Sequence, residues 1–316
     1  MKPDFSLKSK NDYLNRINRV IDYIENHYAD DLNLERIADV ACFSPFHFHR
    51  IFASMMGEKL SEYIQRVRLE KAAAILLQNP NIAITEVALN SGFASSASFA
   101  NSFKKHFSES ASRFRSKHSH IDYHYITPPR EDLDSIKIKM EFSNGETHFC
   151  LKGNDYEQKV SVITLPPWKL AYVRYIGPYK GDTRLFQKLW EKLAHWAMPR
   201  GLFSHPESQF LALYYDNPEV TAEDKLKVNV CVTLHEDIET SGEIGKMDLP
   251  GGLYAKTRFL CGPEDYSKAW GWLYGTWLPL CGYIPDERMA FEWFSKEKTE
   301  QRGKQLVDIC LPVKAL

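Results

Sequence analysis

The sequence predicts a multidomain protein, in which an all-α domain of two helix-turn-helix units is followed by an α+β domain. Residues 34–52 and 84–103 each have the pattern of a short helix, a tight turn and a second helix. From residue 159 onward, strand and helix patterns alternate, and the same β-α-β-β order occurs twice. The length of 316 residues is enough for two or three domains.

The two helix-turn-helix segments share three features. A small residue, Ala38 or Ala88, lies where two helices would cross, and Cys42 or Gly92 follows four residues later in the turn. Two phenylalanines at i,i+4 spacing then anchor the second helix, and these pairs are Phe48 with Phe52 and Phe99 with Phe103. This pattern predicts double-stranded DNA as a partner.

Two further helices complete the first domain. Apolar spacing predicts a scaffold helix over residues 13–28 and a linking helix over residues 61–77 with Ser61 as its cap. The linking helix would be about 25 Å long, which suits two recognition helices placed near the ~34 Å repeat of successive major grooves. One monomer could therefore contact two adjacent grooves, although the sequence leaves monomer and dimer both open.

Composition excludes several classes of protein. The chain is 44% hydrophobic and 26% charged, its start has no signal-peptide pattern, and no run approaches the roughly 20 apolar residues of a membrane span. We therefore expect a cytoplasmic protein with no membrane partner. The six cysteines form no C-x-x-C pair, so we expect reduced thiols, no metal site and no cofactor.

Basic charge is concentrated in the first domain. The whole chain has a net charge of −1, but residues 44–117 carry 10 Lys and Arg against 5 Asp and Glu. Such an excess fits the release of counterions from phosphates, and it fits an ordinary solvated face equally well.

Residues of about 17–115 closely resemble the DNA-binding domain of the AraC/XylS family of transcription regulators. The resemblance rests on Leu34, Ile37, Ala38, the run from Phe43 to Phe52, Gly57, Tyr63, Ile64, Arg68, Leu69, Val87, Ala88, Gly92, Phe93, Phe99, Phe103 and Phe107. It implies groove-facing positions in both recognition helices, namely Phe46, His49 and Arg50 in the first and Ser96, Ala97, Ala100 and Asn101 in the second. We add His47 and Lys104 to this predicted DNA-binding set.

The chemistry of these residues agrees with the resemblance. Arg50 can bond a guanine edge bidentately, Asn101 can do so for adenine, and Phe46 or Ala97 can touch a thymine methyl group. Arg50 could instead pair with Glu35 or a phosphate. Because the second helix has few long polar side chains, we expect base discrimination mainly from the first unit and backbone positioning from the second.

The end of this domain departs from the family pattern. Where the family usually has a Gly and a Pro after the last helix, this chain has the run 107–115 without either. We expect a looser terminal turn within the same fold.

The region 118–158 is predicted to be a connector that follows a DNA-binding domain of residues 1–117. His118, His120 and His124 have irregular spacing, so a linker or packing role is favoured over a metal site. Alternation over 136–142, a turn at 143–145 and a second strand over 147–151 predict a small hairpin.

The last domain, residues 159–316, contains the duplicated unit. The predicted elements are 173–179, a helix over 183–198 and strands 210–215 and 228–234, then 257–264, a helix over 266–278 and strands near 290–294 and 306–313. Two such units predict an antiparallel sheet with both helices on one face and a groove between the halves.

This half resembles the GyrI-like effector-binding domain, and the domain order resembles Rob-type regulators. The resemblance rests on an ordered series that includes Gly177-Pro178-Tyr179, Tyr214 to Pro218, Pro250 to Ala255, Gly262-Pro263, Gly282-Tyr283 and Phe291-Glu292. It implies that Glu292 is the charge partner of a small cationic or hydrophobic effector. The candidate walls are aromatic, since rings attract lipophilic cations, and they are Tyr175, Tyr179, Tyr214, Trp277, Tyr283, Phe291 and Trp293.

Three functions follow from these patterns. The preferred one is a transcription regulator without catalytic residues, whose effector shifts how it engages DNA or RNA polymerase. A second makes the last domain a small-molecule hydrolase in which Glu292 works with Tyr175 or Tyr283. A third makes it a protein-interaction module.

Overall fold

The computed structural model describes residues 5–79, 81–118, 136–153, 157–218, 220–286, 288–295 and 304–315. Within these ranges, the side chains of residues 5–11, Phe46 and His118 are not described. The chain groups into two compact units. The first comprises residues 1–121 together with 216–222 and 240–245, and the second comprises 122–215, 223–239 and 246–316. In the described part of the chain, no helix is both long enough and apolar enough to cross a membrane.

The first unit is helical. Its elements are α1 (Phe5–His27), α2 (Leu34–Val40), α3 (Pro45–Met56), α4 (Leu60–Gln78), α5 (Ile84–Asn90), α6 (Ser96–Phe107) and α7 (Ala111–His118). The predicted tandem of α2-turn-α3 and α5-turn-α6 is confirmed. The scaffold helix α1 begins before Tyr13, and the linking helix α4 begins one residue earlier than predicted.

Side chains at the helix ends explain these boundaries. Asn33 and Ser95 accept hydrogen bonds from the amides of Arg36 (2.9 Å) and Ser98 (3.1 Å), so they cap α2 and α6. The predicted Ser61 cap of α4 is wrong. The cap position is Lys59, whose backbone N–H donates to Glu62 at 3.2 Å.

The two predicted phenylalanine pairs form the centre of their units. Phe48 and Phe52 are fully buried with ring centroids 5.6 Å apart, and Phe52 meets the ring of Tyr63 on α4 edge to face. Phe99 and Phe103 are equally buried with centroids 5.3 Å apart. Each recognition helix is therefore anchored by one inward stripe, which leaves its other faces to solvent.

The end of the helical unit is ordered without the usual Gly and Pro. Ser108 takes the left-handed conformation with φ +61° that ends α6. Phe114 of α7 then packs against Phe103 and Phe107, with centroid distances of 5.4 and 5.0 Å. A serine thus holds the conformation that glycine usually provides, and the fold continues into α7.

The second unit is built on one large sheet. Its strands are β1 (Lys137–Ser143), β2 (Glu146–Lys152), β3 (Glu157–Leu165), β4 (Trp168–Ile176), β5 (Phe210–Tyr214), β6 (Lys227–Leu234), β7 (Ile244–Leu249), β8 (Gly252–Cys261), β9 (Tyr283–Pro285), β10 (Ala290–Phe294) and β11 (Gln305–Ala315). The order across the sheet is β1-β2-β3-β8-β11-β10-β5-β6-β4-β7, with β9 paired to the end of β11. The predicted hairpin is confirmed as β1 and β2.

This order confirms the duplication and adds one strand to each half. The first half contributes β4, α8 (Thr183–Ala197), β5 and β6, and the second contributes β8, α9 (Tyr266–Trp272), β10 and β11. The strands β3 and β7 precede these units, and each pairs with the opposite half: β3 lies beside β8, and β7 lies beside β4. The halves meet where β5 pairs with β10 in antiparallel register.

Both helices cover the same face of the sheet. Trp190 of α8 contacts Phe210 and Phe294, and Trp270 of α9 contacts Glu292, two residues from Phe294 on β10. After Trp272 the chain passes through a π-helical turn, Leu273–Trp277, and a 3-10 turn, Leu278–Leu280. The predicted helix over 266–278 is therefore a shorter α-helix with two irregular turns.

Candidate DNA-binding surface and candidate effector site

The first recognition helix, α3, exposes most of its predicted residues. Pro45 occupies the first helical position, and the inward direction of Phe48 and Phe52 fixes which face is outward. His47, His49 and Arg50 are exposed on that surface. The side chain of Phe46 lies outside the described residues.

The second recognition helix, α6, has the same arrangement with smaller side chains. Ala97, Ala100, Asn101 and Lys104 are exposed, and Ser96 at the start of the helix is half-buried. Only Asn101 and Lys104 among these can reach far from the helix. The two exposed surfaces therefore differ in chemistry, since α3 offers a guanidinium and imidazoles whereas α6 offers one amide and one ammonium group.

Helix α4 holds the two halves of this unit together, as predicted, and it does so through side-chain bonds that the sequence patterns did not indicate. Arg68 donates to the backbone carbonyls of Tyr28 and Asp30, both at 2.7 Å, so it ties α4 to the segment before α2. Gln65 donates to Ser102 on α6 at 2.8 Å. These bonds attach the segment before α2 and the second recognition helix, α6, to the same helix.

In the second unit, Glu292 is a buried carboxylate with two directed donors. It lies on β10, is 3% exposed, and accepts hydrogen bonds from the Tyr214 hydroxyl at 2.8 Å and from the Trp270 indole Nε1 at 3.0 Å. Tyr214 is its diagonal neighbour on β5, and Trp270 reaches it from α9. Each carboxylate oxygen thus has its own donor.

Burial controls the protonation of this carboxylate. Loss of solvation raises the pKa of Glu292 to about 7, against the lowering effect of the bonds from Trp270 and Tyr214. Burial and the nearby carboxylate also raise the pKa of the Tyr214 hydroxyl above its usual range, and burial raises the pKa of Cys261 to about 12. Near neutral pH, Glu292 is therefore the member of this group that changes charge.

Aromatic rings surround this carboxylate. Tyr179 lies with its ring centroid 5.6 Å from that of Tyr214, and the ring of Trp270 meets Tyr214 edge to face at 6.2 Å. Tyr175 shares the face of Tyr214, since both lie opposite Val228, so its backbone is two strand spacings or about 10 Å away. Two of the predicted wall residues, Tyr179 and Tyr214, are therefore grouped beside Glu292, whereas Tyr175 only shares their face of the sheet.

The structure does not bring Phe291 and Trp293 to the Glu292 site. Neighbouring residues of a strand point to opposite faces, so both side chains flanking Glu292 point away from it. Phe291 packs against Tyr254 and Trp168 on the other face, and the Trp293 indole donates to Gln209 at 2.9 Å. Their assignment as walls is corrected for this reason.

Trp277 and Tyr283 lie elsewhere on the helix-covered face. Their rings stack at 6.2 Å, and both meet Phe149 of β2 edge to face. Phe149 is in the same lateral row as Glu292 but four strand spacings away, about 19 Å. These two residues form part of the apolar core at that end of the sheet, so we remove them from the wall of the site.

Trp270 is the site residue that the sequence patterns missed. It forms an i,i+4 aromatic series with Tyr266 and Tyr274, and its ring stacks on Tyr274 at 6.3 Å. This i,i+4 aromatic spacing, on a helix predicted to cover the sheet, could have indicated that Trp270 faces the sheet. We instead chose the strand neighbours of Glu292, Phe291 and Trp293, as wall residues, and their side chains point to the opposite face of the sheet.

Comparison with known proteins agrees with both halves. The helix-turn-helix domain model matches residues 37–117, and the model of the GyrI-like small molecule binding domain matches residues 158–314. A DNA gyrase inhibitor of Edwardsiella ictaluri is 32% identical over 161 residues, which span 49% of this chain and 98% of that protein.

The first half has its own relatives. The probable transcription factor PqrA of Proteus vulgaris is 33% identical over 112 residues, which cover 35% of this chain and 91% of that protein. The bifunctional transcriptional activator/DNA repair enzyme AdaA of Bacillus subtilis is 37% identical over 99 residues, which cover 31% of this chain but only 46% of AdaA.

Two recognition helices on one helical unit, followed by a duplicated sheet domain, define the class of two-domain DNA-binding transcription regulators. The chain belongs to the AraC-type regulators that carry a C-terminal GyrI-like domain.

Proposed function

We propose that α3 and α6 enter adjacent major grooves and that Arg50 and Asn101 read bases while Lys104 contacts phosphate. The observation that carries this proposal is the exposure of these side chains on helices whose opposite stripes are fully buried. Helix α4 has 19 residues, a length of about 28 Å, which supports a spacing close to the ~34 Å groove repeat.

Separate substitutions distinguish base reading from phosphate contact. Arg50→Ala should weaken binding to a preferred duplex by about 1–3 kcal/mol and leave binding to a scrambled duplex almost unchanged. Lys104→Ala should weaken both duplexes alike and reduce the slope of affinity against salt by about 1. Arg19→Ala, at an exposed position on α1, is the matched control. Equal losses for Arg50→Ala on both duplexes would remove its base-reading role.

For the second domain, we propose that Glu292 attracts a small lipophilic cation. A carboxylate that changes charge near neutrality, beside the rings of Tyr179, Tyr214 and Trp270, offers Coulomb and cation–π attraction in a poorly solvated setting. Because Glu292 is only 3% exposed, a ligand that touches it must displace one of its covering side chains. Half-buried Trp270, on a seven-residue helix followed by a π-helical turn, is our candidate for the movable cover.

A charged probe and a neutral one of similar shape test this proposal. Methyltriphenylphosphonium should bind saturably and quench tryptophan fluorescence, whereas triphenylphosphine oxide should bind at least about tenfold more weakly. Affinity for the cation should rise from pH 6 to pH 8, since the bound form of Glu292 is ionised and its pKa is about 7. Glu292→Gln should abolish both the preference and the pH dependence. If the two probes bind equally to the wild-type protein, the charge-partner role fails.

One contact favours the hydrolase as a second candidate. The tyrosine hydroxyl that touches Glu292 is that of Tyr214, rather than Tyr175 or Tyr283, and a carboxyl with a pKa near 7 suits general acid–base work. Turnover of small electrophilic esters or epoxides that is lost in both Glu292→Gln and Tyr214→Phe would support the enzyme. Saturable cation binding without turnover would support the sensor.

The effector would act on transcription through the equilibrium between conformations that differ in DNA affinity or in contact with RNA polymerase. Regulation of this kind takes place where the DNA is, so we propose that the protein works in the cytoplasm.

A further inference from the structure

A group of potential metal ligands lies at one end of the sheet, away from the residues discussed so far. His205, Glu207 and His235 each offer one ligand atom, and these three atoms lie within 4.8 Å of one another. His205 and Glu207 belong to the segment before β5, and His235 directly follows β6. Because β5 and β6 are antiparallel neighbours, these two chain segments meet at the same end of the sheet.

Backbone bonds hold this segment in place. The Ser208 amide donates to the His205 carbonyl at 3.2 Å, and the amide of Gln209 donates to the hydroxyl of Thr233 at 2.8 Å. The Thr233 amide donates back to the Gln209 carbonyl at 3.1 Å. The framework that carries the ligands is therefore fixed to the end of β6.

The two imidazole rings lie directly beside each other. The rings of His205 and His235 are stacked with centroids 3.9 Å apart, so their in-plane lone pairs run side by side, and one ring must turn before both can face one ion. The Glu207 amide donates to His205 Nδ1 at 3.3 Å, which leaves Nε2 as the ligand atom of His205. Ser208 Oγ lies 2.9 Å from His235 Nε2, and when Ser208 accepts from that nitrogen, Nδ1 of His235 carries the lone pair, as outer-shell partners of ligating histidines usually arrange.

We propose that His205, Glu207 and His235 form a binding site for a divalent first-row transition ion such as Zn²⁺. Two imidazoles and one carboxylate are a donor set that zinc accepts, with water in the fourth position. Imidazole donors also disfavour Mg²⁺ and Ca²⁺, which prefer oxygen. Zinc–nitrogen bonds of about 2.0–2.1 Å need ligand atoms closer together than 4.8 Å, and exposed Glu207 and His235 can rotate to close that gap.

Occupancy would add a metal-mediated link to the hydrogen bonds that already join the segment between α8 and β5 to the end of β6. The prediction of no metal site is based on the irregular local spacing of histidines and on the absence of cysteine pairs. His235 is distant from the other two ligands in sequence, so only the strand pairing brings it to them.

Calorimetric titration of the full-length protein with Zn²⁺ tests the proposal. We expect one equivalent to bind, with a rise in the melting temperature of the sheet domain. His235→Gln and His205→Gln should each weaken the Kd by at least about tenfold and abolish that rise. The control His195→Gln changes another exposed histidine of the same domain, on α8, and should leave both quantities unchanged.

A second probe separates this site from the cysteines. Co²⁺ at the proposed site should give visible d–d bands without a thiolate charge-transfer band in the near ultraviolet. Binding that persists in His235→Gln, a strong thiolate band, or no saturable binding of Zn²⁺ by the wild-type protein would each overturn the proposal. If a histidine variant fails to fold without metal, Glu207→Gln at an exposed position replaces it and should also weaken the Kd.

Discussion

Glu292 illustrates how one buried group makes stability depend on pH. Its pKa of about 7 in the folded protein lies above the ordinary value of 4.5, because burial disfavours the ionised form. Below pH 4.5 both the folded and the unfolded states hold the proton. As the pH rises toward 7, the unfolded state releases the proton first, so the free energy of unfolding falls by up to about 3 kcal/mol.

Glu292→Gln should remove this dependence. The amide keeps an acceptor for the Trp270 indole and can donate to the Tyr214 hydroxyl, so both hydrogen bonds persist in altered form. Relative to wild type, we expect the variant to gain about 3 kcal/mol in free energy of unfolding between pH 4.5 and pH 8. All seven tryptophans lie in the sheet domain, so urea unfolding followed by their fluorescence reports this domain. If the free energy of unfolding changes with pH in the same way in both proteins, Glu292 is not the group responsible for the pH dependence.

The turn of the second helix-turn-helix depends on a glycine for two reasons. Gly92 has φ +78°, and a Cβ atom there would lie 2.7 Å from the Ala29 carbonyl oxygen and 2.8 Å from the Ala29 Cα. Gly57, at the end of α3, has a similar φ of +70° but open space around the same position. Comparing alanine substitutions at the two positions therefore distinguishes the cost of the left-handed backbone, which both share, from the cost of the contact with Ala29, which only Gly92 has.

Gly92→Ala should destabilise the helical unit more than Gly57→Ala does. Left-handed backbone alone costs an alanine about 1–2 kcal/mol, and the clash with Ala29 should raise the loss for Gly92→Ala to at least about 3 kcal/mol. Hydrogen exchange of the α5 and α6 amides measures this loss. Equal losses in the two variants would show that Ala29 yields to the added methyl group.

At the scale of elements, helix α4 is joined to the end of the first helix-turn-helix by a buried ionic group. The guanidinium of Arg66 bonds Glu58 at 2.8 Å and Glu70 at 3.1 Å, and it lies over the Tyr63 ring at 4.9 Å. The neighbouring carboxylates raise the pKa of Arg66 although burial acts in the opposite direction. Three charges thus share a poorly solvated position between α3 and α4.

Removal of that cation should be costly. Arg66→Met leaves two poorly solvated carboxylates without their partner, and we expect a loss of about 3 kcal/mol at pH 7. The loss should be smaller near pH 4, where the carboxylates can take up protons. Lys246→Met breaks an exposed pair with Asp237 and should cost under about 1 kcal/mol. Thermal unfolding followed by the helical circular dichroism signal compares the two; similar small losses would mean that Arg66 is unimportant for stability.

Periodicity made most elements predictable from the sequence. The i,i+4 phenylalanine pairs located both recognition helices because a helix that packs on one side needs an inward stripe of this spacing. Alternation located β1 for the corresponding reason, the turn after it located β2, and the internal repeat located β5, β6 and β10. The cap of α4 was less predictable. Lys59 caps this helix through its backbone amide, and because every residue except proline has such an amide, the residue type gives no signal.

Pairing between distant strands was not predictable. Nothing in the local pattern of β3 or β7 indicates that each pairs with the opposite half of the duplication. The composition of the candidate site was only partly predictable for the same reason. Glu292 and Tyr214 could be named from the sequence, but the prediction of Trp270 requires knowing which face of α9 meets β10. Phe291 and Trp293, by contrast, were excludable from strand alternation alone.

The proposed effector response requires energetic coupling between the DNA-binding domain and the sheet domain. If an effector changes DNA affinity by some factor, then DNA must change effector affinity by the same factor. We expect methyltriphenylphosphonium to alter the Kd for a preferred duplex, typically by about 5–150-fold, and the duplex to alter the Kd for the cation equally. Glu292→Gln should abolish both effects. An unchanged Kd in the wild-type protein would make the second domain something other than a sensor of this ligand.

We propose that one chain reads DNA sequence through two recognition helices. Selection from a pool of random duplexes, performed with the wild-type protein and with Arg50→Ala at the same salt concentration, tests this reading of DNA. We predict enrichment of a bipartite site with its halves about one helical turn apart, and loss of preference at one half only in the variant. Salt-sensitive binding without any enriched sequence, or a variant that selects the same site as the wild type, would contradict the claim.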